Sequence, residues 1–224
     1  MAQHAKEPPP LEAGMIGVGN IGLQMALRLM ERGLKLKVCD RNPAAVAAAV
    51  EAGAGQAASP AELAERCAVI LVSMPSAAAS LEVALGERGV VHRRALKAYI
   101  ETSTLGSAVA RRIADGLAPQ GIGFVDAPVS GGRVGARAGV LAIMTSGPQA
   151  ACELARPVLD ALAARVFHLG ERAGLAQIAK ASASASGPSW PPATPRSSPS
   201  TAVAGMRHGR TSPWTRCSSP AVWS

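Results

Sequence analysis

The sequence predicts an α/β fold, a doubly wound and mostly parallel sheet with helices on both faces. Three observations carry this expectation. Short apolar runs alternate with helical patterns through the first 170 residues, the signature of βαβ units. A glycine-rich turn at residues 17–22 joins the first apolar run to the first helical pattern. The 224-residue chain is 48% hydrophobic but only 3% aromatic, so its core must be aliphatic, which suits helices packed closely on a buried parallel sheet.

The elements follow in order. Gly14–Val18 reads as a strand, and Ile21–Arg32 has helical spacing with Gly33 as its stop. Leu36–Cys39 is a second strand, after which Asn42-Pro43 opens an Ala-rich helix to about Ala52. Ser59-Pro60 with Glu62 is a helix start, a capping side chain followed by proline in the first turn. Ala68–Val72 reads as a buried strand, Ala77–Leu85 as a helix, Ala98–Ile100 as a strand and Gly106–Leu117 as a helix. Gly123–Asp126 and Val140–Met144 are strands, Pro148–Ala164 is helical, and Arg165–Leu169 is a last strand ending in His168, read as a structural residue. The expected organisation is therefore a flexible leader over 1–12, one domain over 13–170 and a connecting segment over 171–180.

Beyond Lys180 the character changes. Residues 181–224 contain eleven Ser, seven Pro and all three Trp, and no period survives, so this tail is expected to be disordered. Its composition is also what a GC-rich gene gives out of frame. A shift near codon 181 is one reading and a genuine sequence the other; resequencing past codon 180 separates them.

Charge and cysteine usage exclude several classes. The formal charge is +8, but four Arg and no acid lie in 181–224, so half the excess sits in the tail. The other 180 residues carry 19 basic and 15 acidic side chains, without the basic stripe interleaved with aromatics that nucleic-acid binding needs. Cys39, Cys67, Cys152 and Cys217 have neither metal-ligand nor redox spacing, so no metal is expected, and the thiols should be reduced in a cytoplasmic protein. No apolar run is long enough to span a membrane, and the opening residues lack the apolar stretch of a signal peptide.

Gly17-Val18-Gly19-Asn20-Ile21-Gly22 matches the pattern G-x-G-x-x-G at a strand-to-helix junction. Gly17 permits the tight turn, Gly19 admits a pyrophosphate close to the backbone, and Gly22 lets helix and strand pack. The helix N-terminus, with Asn20 and Ile21 in its first turn, offers free N–H groups to the phosphates. This is the Rossmann-type arrangement, and the ligand it predicts is a dinucleotide. Asp40, 18 residues after Gly22, can accept the ribose hydroxyls of NAD. Arg41 can pair with a 2′-phosphate instead, so Asp40 favours NAD while Arg41 keeps NADP open.

Several segments resemble the β-hydroxyacid dehydrogenase family. They are Met15–Gly22, Asp126-Ala127-Pro128-Val129-Ser130-Gly131-Gly132, Gly139–Met144 and Gly174–Lys180, the last with Ala176 in place of a second glycine. Val38–Pro43 and Glu82–Glu87 resemble its tartronate semialdehyde (2-hydroxy-3-oxopropionate) reductase branch. The resemblance implies further cofactor contacts at Met74, Pro75 and Thr104. It also implies a substrate carboxylate held by Ser130, Gly131 and Gly132, and Lys180 as general acid/base. The implied reaction interconverts a small β-hydroxyacid and its oxo form, with tartronate semialdehyde to glycerate as first choice and 3-hydroxyisobutyrate as second. The alternative is an inactive dinucleotide-binding module or partner subunit. Two departures stand out. Ala183 and Ser184 occupy the positions of the family's asparagine pair, and the all-helical second domain that builds the family's usual homo-oligomer is expected to be missing, which would impair activity.

Overall fold

The structure, a computed structural model, describes residues 12–185 and 214–216. The expected leader before Glu12, most of the tail, Cys217, Trp190 and Trp223 lie outside the described residues.

Six short strands form one parallel sheet: β1 (Glu12–Ile16), β2 (Lys35–Cys39), β3 (Gly55–Gln56), β4 (Val69–Val72), β5 (Ala98–Glu101) and β6 (Gly123–Asp126). Their order is β3-β2-β1-β4-β5-β6, so the chain reverses its direction of travel across the sheet between β1 and β4. The connecting helices are α1 (Asn20–Glu31), α2 (Pro43–Glu51), α3 (Pro60–Arg66), α4 (Ala77–Leu85) and α5 (Ser107–Leu117). Local chemistry sets their starts. Asn42 accepts from the Ala44 N–H at 3.1 Å with Pro43 in the first turn. Ser59 accepts from the Glu62 N–H at 3.1 Å, and the Glu62 carboxylate reaches back to the Ala58 N–H at 2.8 Å.

The middle of the sheet is buried on both faces: β4 is apolar at every step, and β5 is buried throughout. Alternate residues feed opposite layers. Val69, Leu71, Ala98, Ile100 and Val125 join the layer of α1 and α2, while Ile70, Val72, Tyr99 and Phe124 join that of α3 and α5. Tyr99 and Phe124 stack with ring centroids 6.0 Å apart.

The remaining elements are β7 (Val129–Ser130), α6 (Gly132–Ala138), β8 (Leu141–Thr145), α7 (Gln149–Leu162), β9 (Ala163–His168), α8 (Leu175–Ala185) and β10 (Trp214–Arg216). They include a second sheet of order β10-β9-β8-β7, antiparallel only between β7 and β8. Sequence reasoning placed β8 and β9 correctly as strands but did not separate them from the main sheet. It also missed β3, β7, α6 and the helical state of 175–180. The expected disorder of 181–224 does not hold where the tail is described: residues 181–185 extend α8 by continuing its hydrogen-bonded turns, and 214–216 pair in parallel with β9. A cross-strand ladder can be completed by backbone alone, so a segment without hydrophobic period can still take it.

The charged pair Arg137–Glu31, closed at 2.7 Å, ties α6 to α1 across the surface. Cys39, Cys67 and Cys152 are free and buried, and burial pushes the Cys67 and Cys152 thiols up to about 11. Among the described residues no helix is long and apolar enough to cross a membrane, and no cluster of metal-ligating side chains occurs.

Candidate functional site

The reversal of strand order leaves a crevice beyond the carboxyl ends of β1 and β4, the place where open α/β sheets bind ligands. It is a cleft of about 1110 Å³. Gly17 takes φ +86°, and its N–H donates to the Cys39 carbonyl at 3.0 Å, closing the turn onto β2. A Cβ at Gly17 would overlap the Ser73 carbonyl, and one at Gly22 would overlap the Gly17 carbonyl. Gly19 differs: its φ is −69°, which any residue adopts, and a Cβ there would meet nothing. Its lack of a side chain therefore keeps open space beside the backbone rather than permitting a fold. No side chain caps the α1 N-terminus, so its first N–H groups are available to an anion. These features fit a pyrophosphate.

Asp40 ends β2 and turns back toward the glycine turn. Its Oδ2 accepts from the Val18 N–H and its Oδ1 from the Asn42 N–H, both at 2.8 Å. The carboxylate is thereby held in place, and each oxygen retains a lone pair for a ribose hydroxyl.

A buried polar group lies behind the cleft. Glu101, fully buried at the end of β5, accepts from the Ser103 N–H at 3.0 Å. The Ser103 hydroxyl accepts from the Met74 N–H at 2.7 Å, and the Ser103 carbonyl accepts from Gln177 Nε2 at 3.1 Å. Asp126, buried beside Glu101 on β6, takes four donors: Gln177 Nε2 at 2.7 Å, the Gly174 N–H at 3.1 Å, and the Gln177 N–H and Ser146 hydroxyl at 3.3 Å. Burial pushes the Glu101 carboxyl up from 4.5 to about 7; the Ser103 hydrogen bonds oppose this and the Asp126 charge adds to it. Burial raises Asp126 as well. A carboxyl raised on folding contributes stability that is complete below about pH 4.5 and is lost as pH rises through about 7. Glu101→Gln should therefore flatten the pH dependence. The wild-type unfolding free energy is expected to fall between about pH 5 and about pH 8 by up to ~3 kcal/mol more than that of the variant. Urea denaturation at the two pH values measures it, and parallel slopes would refute it.

Ser130 is half-buried at the end of β7. Gly131 and Gly132 are exposed with φ +131° and +59°, a left-handed stretch that a side chain would strain. Lys180 lies half-buried on α8, one turn after Gln177, and α8 packs against α5, β6 and β8.

Residues 12–170 match the family model of the NAD binding domain of 6-phosphogluconate dehydrogenase. The chain belongs to that family. Over 170 residues this NAD-binding domain is 37% identical to 3-hydroxyisobutyrate dehydrogenase of Pseudomonas aeruginosa, covering 75% of the chain and 57% of the relative. It is 38% identical over 169 residues to L-threonate dehydrogenase of Escherichia coli K12, covering 75% and 56%. A crystal structure of 3-hydroxyisobutyrate dehydrogenase from Salmonella typhimurium superposes with TM-score 0.70 at 34% identity, covering 76% of this chain and 60% of that one. The chain thus spans little more than half the length of the curated relatives it matches.

The NAD-binding domain brings Gly17, Gly19, Asn20, Ile21 and Gly22 together with Asp40, Arg41, Met74 and Pro75 around the one cleft. Thr104 is exposed and lies outside this cleft lining; the preceding Ser103 makes the contact to the Met74 loop. Ser130, Gly131, Gly132 and Lys180 also lie outside the cleft lining, on the β7–α6 turn and α8. Sequence reasoning missed Glu82 and Arg88 as cleft residues, because no local pattern marks a residue that only the closed fold brings to the cleft. Arg41 and Arg88 are both exposed at the cleft that holds Asp40, so cations are at hand for a 2′-phosphate. Asp40→Asn is expected to raise the ratio of NADPH to NADH affinity about tenfold, by removing a charge that repels the extra phosphate. Paired fluorescence titrations read the ratio, and an unchanged value would show that Asp40 does not face the ribose.

Proposed function

We propose that this domain serves an oxidoreductase that interconverts a small β-hydroxyacid and its oxo partner with NAD or NADP. The observation that carries the reading is the cleft itself. Its glycine turn has one position, Gly19, whose bareness serves only an approaching ligand, and Asp40 stands at the adjoining strand end. A bound nicotinamide ring supplies or accepts the hydride. The chain's own residues do the rest. The α1 N-terminus and the backbone of 17–22 hold the pyrophosphate, and Asp40 takes the ribose. The exposed N–H groups of Gly131 and Gly132, with the Ser130 hydroxyl, bind the substrate carboxylate. Lys180 exchanges a proton with the substrate oxygen and steadies the developing alkoxide as an ammonium. Tartronate semialdehyde is the first substrate on the similarity of 38–43 and 82–87, and 3-hydroxyisobutyrate the second on the relatives' names. Free buried thiols accord with a cytoplasmic setting.

A second reading, a dinucleotide-binding module without turnover, is favoured by Ala183 and Ser184 where the family pattern has asparagines. Titration of the chain with NADH, followed by nicotinamide fluorescence, and then an assay with both substrates separates the two. Saturable binding with turnover that Lys180→Met abolishes supports the enzyme. Binding without turnover supports the module, and absence of binding overturns both.

A further inference from the structure

We infer that Gln177 is a positioning residue that latches the Lys180 helix to the NAD-binding body, so that the placement of Lys180 is set within this domain. The inference rests on the proposed role of Lys180. Gln177 is only 3% exposed, and its amide is used at both ends. Its Oε1 accepts from the Leu105 N–H at 2.9 Å and the Gly106 N–H at 3.1 Å. Its Nε2 donates to Asp126 Oδ1 at 2.7 Å and the Ser103 carbonyl at 3.1 Å. One side chain thus joins three chain segments: the turn after β5, the carboxyl end of β6 and the first turn of α8.

The partners explain why a glutamine is needed. Leu105 and Gly106 offer only donors, and Asp126 with the Ser103 carbonyl offers only acceptors. A side chain bridging them must accept at one atom and donate at the other, which an amide does and a carboxylate or ammonium does not. Asp126 completes the latch by accepting from the Gly174 and Gln177 N–H groups, orphan donors of the first turn of α8, while Ser146 accepts from the Ala176 N–H at 3.1 Å. Lys180 follows Gln177 at i+3 on neighbouring helix faces, so fixing the rotation of the first turn fixes the direction of its stem. Asp126 stands four residues before Ser130, and Ser103 holds the Met74 N–H at the cleft. The same amide therefore connects the three places where cofactor, carboxylate and proton donor are proposed to act.

The test uses the full chain. Gln177→Ala should raise hydrogen exchange of the 175–180 amides about tenfold relative to those of β1 and β4, with NADH binding retained. Gln177→Glu supplies a second test if the first variant folds poorly. Its carboxyl faces Asp126 and repels it when both are ionised, but can donate when protonated. Protection of α8 in that variant should recover as pH falls, a profile that simple space filling does not give. Wild-type exchange in Gln177→Ala or pH-independent exchange in Gln177→Glu would overturn the latch. Exchange that shifts as expected, with turnover that survives Lys180→Met, would retain the latch and remove the proton-transfer reading instead.

Discussion

Gly22→Ala is expected to abolish measurable NADH binding, weakening it ~100-fold or more, while Gly19→Ala weakens binding without loss of stability. The two substitutions add the same methyl group three residues apart and meet different surroundings. At Gly22 the Cβ would overlap the Gly17 carbonyl and crowd the Met15 side chain at 3.2 Å, so α1 must move away from β1. That movement displaces the N-terminal N–H groups from the pyrophosphate position and overpacks a filled junction, at a cost of about 1–3 kcal/mol in stability. At Gly19 the added atom has open space in the free protein and stands only in the way of the ligand. Fluorescence titration and urea denaturation of both variants test the pair. NADH binding by Gly22→Ala with wild-type affinity would mean that the glycine turn is not the phosphate cradle.

The second large effect is expected at Asp126. Replacing it by Ala leaves the Gly174 N–H, the Gln177 N–H, one of the two Gln177 Nε2 hydrogens and the Ser146 hydroxyl without their acceptor in a buried place. Unsatisfied buried donors cost about 1–3 kcal/mol each when they cannot find water. The opening of α8 toward solvent relieves some of them, so a total loss of about 3–5 kcal/mol is expected. Against a domain stability of roughly 5–15 kcal/mol this is a large fraction. Because burial raises the Asp126 carboxyl above its usual 3.8, its contribution is complete below about pH 4 and declines as pH rises, so the loss should be larger at about pH 4 than at about pH 8. A loss below ~1 kcal/mol at both pH values would show that water replaces the carboxylate without penalty.

How legible this molecule is in its sequence varies with the physical origin of each feature. The strands Val69–Val72 and Gly123–Asp126 and the starts of α2 and α3 were legible because their causes are local: apolar runs, and capping side chains next to proline. The cleft was legible because a strand-to-helix turn bearing three glycines has few other uses. The seven residues of α6 were not, since Gly132 and Gly135 interrupt any amphipathic period and the helix is held by packing on α1 and the Arg137–Glu31 pair. The two-residue strands β3 and β7 carry no period at all. Ser103 had no signal of its own, because neighbouring hydroxyls are indistinguishable until the backbone assigns each a direction. Gln177 had no local signal either. Its partners lie 51, 71, 72 and 74 residues away in sequence, and only the closed fold shows that all of them need one amide.

The parallel pairing of 214–216 with β9 bears on how the domain behaves in solution. Without it, the outer side of β9 would present bare N–H and C=O groups, a template onto which a strand of another molecule can add. The chain's own late segment occupies that template. A chain ended after residue 185 should therefore self-associate at concentrations where the full chain does not, and light scattering of the two would show it. Three residues, Trp214–Arg216, are then expected to shield this edge from intermolecular pairing.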